Sequence, residues 1–110
     1  MITARYSKAQ GHIVSAQIKG HACSGSGEYD MVCAAVSAIT QTALLGLKNV
    51  ARVEVKTQIK DGYLALRLEH IDKVKLIETD AILYTMLEGL KDLASGYPNY
   101  IRLEEEENVY

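Results

Sequence analysis

A histidine and a cysteine flank a short glycine- and serine-rich run early in the chain: Gly20-His21, then Ala22-Cys23-Ser24-Gly25-Ser26-Gly27, then Cys33. A thiolate is a strong nucleophile, and an imidazole within hydrogen-bond reach can take the thiol proton and later protonate a leaving amine. Asp30 is a good N-cap, because its carboxylate can accept from the open N–H groups of a first helical turn. That places Cys33 at the third helical position, where the helix dipole favours an anion and a thiol ionises more easily. Ser37 follows one turn later on the same face.

Each of these residues also has a plainer role. A thiol outside a disulfide is most often a small buried hydrophobe. His21 can be an exposed loop histidine, and Asp30 a cap with no chemistry of its own, although it could also orient an imidazolium. Ser37 can hydrogen-bond into a site or back to its own helix. Cys23 reads as a bystander that oxidation could link to Cys33 if the loop folds inward. His12 follows a hairpin turn and His70 precedes a helix, and neither has a cysteine nearby in sequence. A metal set drawn from His12, His21, Cys23 and Cys33 lacks the C-x-x-C pair of zinc sites, so neither metal nor cofactor is expected. The same lack weakens a thiol redox role.

The rest of the chain reads as the scaffold for this pair. Ile2 to Ser7 is a short strand, and Gly11 supplies the positive φ of a hairpin turn over Lys8 to Gly11. His12 to Lys19 alternates, with Val14, Ala16 and Ile18 on one face, and Gly20 ends it. From Asp30 to Asn49 a helix carries Val32, Val36, Ile39, Ala43 and Leu47, with Asn49 suited to a left-handed end. Val50 to Ile59 and Tyr63 to Leu68 are strands around Lys60-Asp61-Gly62, a strong hairpin signal. Asp72 caps a second helix striped by Leu76, Leu83, Leu87, Leu90 and Ala94 and stopped by Gly96 and Pro98. Tyr100 to Leu103 offers a last strand, and Glu104 to Glu107 reads as a solvated tail. The expected fold is α+β, one domain over residues 1–110. It is a two-layer sandwich in which a mixed, mostly antiparallel sheet of four to five strands carries two helices on one face.

Composition narrows the class. A chain of 110 residues is large enough for a core without disulfide or metal staples. Its net charge of −2 offers no bulk attraction to nucleic acid or anionic lipid. No apolar run approaches the roughly 20 residues a bilayer needs, and the N-terminus alternates rather than forming a signal peptide's apolar block. Two cysteines without secretory context suggest thiols in a reducing cytoplasm.

The pattern Gly20-His21-Ala22, a Gly/Ser-rich loop, then Asp30-Met31-Val32-Cys33-Ala34-Ala35-Val36-Ser37 resembles the ribosomal-processing cysteine protease family, Prp. Length and order of elements are similar over nearly the whole chain. Met31 stands where isoleucine or leucine is usual, and Cys23 is a less familiar loop residue. The resemblance implies that His21 and Cys33 are the catalytic pair, with Asp30 and Ser37 as its flanking polar positions. It further implies a small homodimeric endopeptidase that removes the N-terminal extension of a large-subunit ribosomal protein before the extension can obstruct the assembled ribosome. The loop from Gly20 to Gly27 would bind the substrate and rearrange around it. A competing reading is a non-catalytic dimeric module that binds a basic ribosomal protein, which the acidic balance allows.

Overall fold

The computed structural model describes residues 1–20, 27–70 and 72–107. Five strands and two long helices follow one another as β1 (Ile2–Ala9), β2 (His12–Lys19), α1 (Glu28–Asn49), β3 (Val55–Lys60), β4 (Tyr63–Leu68), α2 (Leu76–Gly96) and β5 (Ile101–Glu106). The strands form one sheet in the order β3-β4-β2-β1-β5. All pairings are antiparallel except β1 with β5. The α+β sandwich and its single helical layer therefore stand as the sequence indicates.

The helices cover one face because of crossover handedness. β2 and β3 run in the same direction with β4 between them, and α1 connects them. β4 and β5 also run alike, and α2 spans β2 and β1 to join them. These crossovers start on antiparallel strands and move in opposite directions across the sheet, so right-handed connections put both helices on the same side. There they press Val32, Val36, Leu47, Leu83, Leu87 and Leu90 onto Ile2, Ala4, Ile18, Leu64 and Leu66. Removing side chains of this size from water stabilises the fold by roughly 1.5–3 kcal/mol each before entropy is counted. Two glycines let the helices approach each other. A Cβ on Gly89 would lie 3.2 Å from Ile39, and one on Gly46 would lie 3.5 Å from Ile82.

Several local expectations shift. Helix α1 begins at Glu28 behind Gly27, whose φ is 46°, so Asp30 sits in the first turn rather than at the cap. Cys33 is consequently the sixth helical residue. On β2 the core takes Ile13 rather than Val14, because a bulge opposite Ser7 and Lys8 inserts one residue and flips the alternation. The left-handed residue after α1 is Arg52, at φ 58°, not Asn49. The third strand is shorter than expected and its residues from Lys56 onward are exposed. Asp72 does cap, its carboxylate accepting from Val74 N–H at 3.2 Å to start a short 3₁₀ turn that runs into α2. The acidic tail is not a tail: Glu104 to Glu106 belong to β5, which pairs with Ile2 to Ser7 of β1. By length and composition α1 could also cross a membrane, contrary to the reading of the raw sequence, but its apolar stripe is built into the core.

Candidate active site

The cysteine expected to act is fixed by α1. Cys33 is 1% exposed and belongs to the core cluster with Val32 and Val36. Tyr29, Cys33 and Ser37 follow at intervals of four, so they share a helix face, and Asp30 flanks it one turn before the cysteine. Asp30 and Ser37 are half-buried. Since Cys33 lies in the second turn, its own N–H belongs to the helix ladder, and the dipole argument made for a first-turn thiol loses force.

The strand half of the site is held by contacts that the sequence does not advertise. Gly20 follows the last residue of β2 and precedes His21. Its N–H donates to Gly62 O at 2.9 Å. Its carbonyl accepts from the hydroxyl of Tyr29. Its φ is 83°, and a Cβ there would lie 2.6 Å from the Met1 carbonyl oxygen. Only glycine fits this cradle, both for backbone conformation and for space. Tyr29 in turn stands edge-on to Tyr100 at 5.9 Å between ring centroids. One tyrosine thus ties the helix that carries Cys33 to the residue covalently bonded to His21. Tyr29 was not singled out from the sequence. Its position four residues before the cysteine was the available signal.

His21, Ala22, Cys23, Ser24, Gly25 and Ser26, expected as the base and most of the substrate-binding loop, lie outside the described residues. The two ends of that loop, Gly20 and Gly27, are described, and both have positive φ. His12 is at the other end of the sheet, where its Nδ1 lies 2.7 Å from Asp80 Oδ2. It therefore cannot join Cys33 in one metal set. Among the described residues no group of three or more metal-type ligands forms.

That far end holds a charged cluster of its own. The hydroxyl of Tyr6 donates to Glu105 Oε1 at 2.7 Å, and Lys8 Nζ lies 3.2 Å from the same carboxylate. Hydrogen bonding with Glu107, then with Tyr6 and Lys8, holds Glu105 down to about 2. Burial, reinforced by the bond to Glu105, pushes the Tyr6 phenol up to about 12. The bond to Glu105 also raises Lys8. Tyr84 closes this end by donating to Gly11 O at 2.6 Å.

Known structures share this arrangement of elements. SMU.848 from Streptococcus mutans matches with a TM-score of 0.89 at 27% identity, over 97% of this chain and 95% of that one. The essential ribosomal processing protease Prp from S. aureus, in complex with a substrate peptide, matches with a TM-score of 0.85 at 25% identity, over 96% of this chain and all of that one. The same protease with a covalently linked product peptide gives 0.83 at 26% identity, over 96% of this chain and 100% of that one. No curated protein matches the chain. The family model for cysteine protease Prp matches residues 1–102, nearly the full length, and the chain belongs to that family of cysteine proteases.

Proposed function

We propose that Cys33 is the nucleophile and His21 the general base of an endopeptidase that removes the N-terminal extension of a large-subunit ribosomal protein in the cytoplasm. The observation that carries this reading is the Tyr29 clamp. It ties the helix bearing Cys33 to Gly20, one peptide bond from His21. The S. aureus relative binds a substrate peptide and carries a covalently linked product peptide, which supports nucleophilic catalysis in this family.

In the proposed reaction His21 takes the Cys33 proton, and the sulfur attacks the scissile carbonyl carbon to form a C–S bond. The resulting oxyanion needs N–H donors from outside the α1 ladder. We assign them to N–H groups at the start of α1. The C–N bond breaks as the His21 imidazolium protonates the departing amine. Water, deprotonated by His21, then hydrolyses the thioester and frees the thiol. Asp30 and Ser37 support the pair from the same helix. Because Cys33 is 1% exposed, a peptide reaches it only after the surrounding chain moves, in keeping with a Gly20–Gly27 loop that rearranges on binding.

Two copies would associate through the outer face of the helix pair. There Ala38, Ile39, Gly46, Ala81, Ile82 and Gly89 line an apolar groove of about 660 Å³. Leu45 and Ile77 are exposed on the same helices. The deciding experiment is mass spectrometry of the organism's own extended ribosomal protein after incubation with wild type and with Cys33→Ala. The expected result is cleavage at one bond by wild type alone. Cleavage by Cys33→Ala at the normal rate would remove Cys33 from the chemistry.

A further inference from the structure

The face of the sheet turned away from the helices carries a charge pattern that net charge conceals. The ladder registers place Lys60, Tyr63, Lys19, Thr3 and Arg102 in one row across β3, β4, β2, β1 and β5. With strands about 4.8 Å apart, the three cations of this row fall on alternate strands about 10 Å apart. The row holds no carboxylate, and it lies at the end of the sheet where Gly20 leads into His21.

Further along the same face stand Arg5, Arg67 and Lys56, with Glu104 and Glu106 as its carboxylates. Within the paired strands, six of the chain's twelve lysines and arginines share this face with two of its fourteen acidic residues, and Glu54 and Glu69, joined by Glu69 N–H to Glu54 O at 3.0 Å, continue it at the corner away from the Lys60 row. The paired strands carry a formal side-chain charge of +4 on this face, in a chain whose net charge is −2. The ion pairs Arg5–Glu106 at 2.9 Å and Arg102–Glu104 at 3.7 Å are solvent-exposed, so they soften the field without cancelling it.

The chemistry of the face selects among anionic partners. A shallow depression of about 800 Å³ runs between the rows, bordered by Arg5, Gln17, Lys56, Gln58, Tyr63 and Arg67. No large exposed hydrophobic residue lies in the rows, which disfavours insertion into lipid. Tyr63 offers a half-buried ring, with Lys60 Nζ at 5.9 Å from its centroid and Gln17 Nε2 at 3.4 Å from its hydroxyl. Spaced cations for phosphates, an aromatic face for a base, and amides and hydroxyls that can bond a 2′-OH are the elements of single-strand recognition.

We propose that this open sheet face binds single-stranded RNA, with phosphates on Lys60, Lys19 and Arg102 and a base against Tyr63. The net charge, which offers no bulk attraction to nucleic acid, averages over two unlike surfaces. RNA held on this row would lie beside the candidate active site.

The test is fluorescence anisotropy of a labelled 20-nucleotide oligo(U) titrated with the full chain at 50 and 200 mM salt. Saturable binding is expected, with log affinity falling against log salt at a slope of roughly −2, the value for about three neutralised phosphates. Lys60→Glu with Arg102→Glu should weaken binding at least tenfold at 50 mM salt. Tyr63→Leu should weaken it about tenfold. Lys73→Glu with Lys91→Glu, the same charge change away from this face, should leave it within twofold. Absence of saturable binding at 50 mM salt, or equal weakening by the control pair, would overturn the proposal. Equal affinity for oligo(dU) would overturn the assignment to RNA, and equal affinity for polyglutamate the assignment to nucleic acid. Peptide cleavage, measured in parallel, should be unchanged in Lys60→Glu/Arg102→Glu. The two readouts then fail separately if either reading is wrong.

Discussion

The two ends of the sheet are held by different physics. Around Gly20 itself, the described contacts are backbone hydrogen bonds, a tyrosine hydroxyl on a carbonyl, an aromatic edge contact and a close backbone approach. At the far end they are contacts between ionisable side chains: Lys8 with Glu105 and Glu107, and His12 with Asp80. Asp80 Oδ1 is buried there with no hydrogen-bond partner among the described residues. Neutral contacts hold their geometry as pH and salt change, whereas the far end depends on protonation. The proposed Cys33–His21 pair, both members of which would change protonation, would gain from supports that stay neutral near pH 7.

Substitution at the neutral end should have the largest effect. Gly20→Ala combines a left-handed backbone with a Cβ 2.6 Å from the Met1 carbonyl. It should cost about 2–4 kcal/mol in urea unfolding, and an unchanged midpoint would mean that the cradle is not rigid. Tyr29→Phe should be milder for stability, about 1 kcal/mol, because the ring against Tyr100 remains. Its effect on catalysis should be larger, a roughly tenfold fall in kcat at unchanged KM, since a small misalignment of reacting groups is costly. A normal kcat would limit Tyr29 to a role in folding.

The smallest effect should come from the charged end and should depend on pH. Glu105 sits at about 2 in the folded chain against an ordinary 4.5, first through its hydrogen bond with Glu107, whose own carboxyl is raised, and then through Tyr6 and Lys8. The contacts with Tyr6 and Lys8 are those its ionised form keeps at pH 7. Their contribution fades as pH falls from about 4.5 through about 2. Glu105→Gln should therefore unfold more easily than wild type at pH 7, and the two urea midpoints should converge as pH is lowered. A gap that stayed constant with pH would point to packing rather than charge. Tyr6 behaves in the opposite sense: raised to about 12 from 10, it loses its stabilising effect only as pH rises through that interval.

The scaffold was largely legible because its signals are local. Gly11 and Asp61-Gly62 announce their turns, and both helix stripes follow from spacing alone. What was missed depends on distant partners or on unusual backbone. Glu104 to Glu106 look solvated until β1 supplies Arg5, Tyr6 and Lys8 across about a hundred residues. Val14 loses its place to Ile13 through a bulge that no residue of β2 signals. Gly27 took the cap position from Asp30 by adopting φ 46°, and this moved Cys33 three places along the helix. On the described side of the site, Cys33, Asp30 and Ser37 were readable as a motif. Tyr29 was not, because its importance lies in a carbonyl nine residues earlier that only the folded chain brings near.

The parallel pairing of β1 with β5 also sets a timetable for synthesis. Ile2 and Ile101 are register partners, so one edge of β1 waits for residues made about a hundred codons later. At about 5–20 residues per second, that wait is about 5–20 s. The β1–β2 hairpin can form early, but during this interval it presents an unpaired edge to whatever lies near the ribosome exit. Slow translation would lengthen the exposure, so the yield of folded protein should respond to elongation speed as well as to the stability of the finished chain.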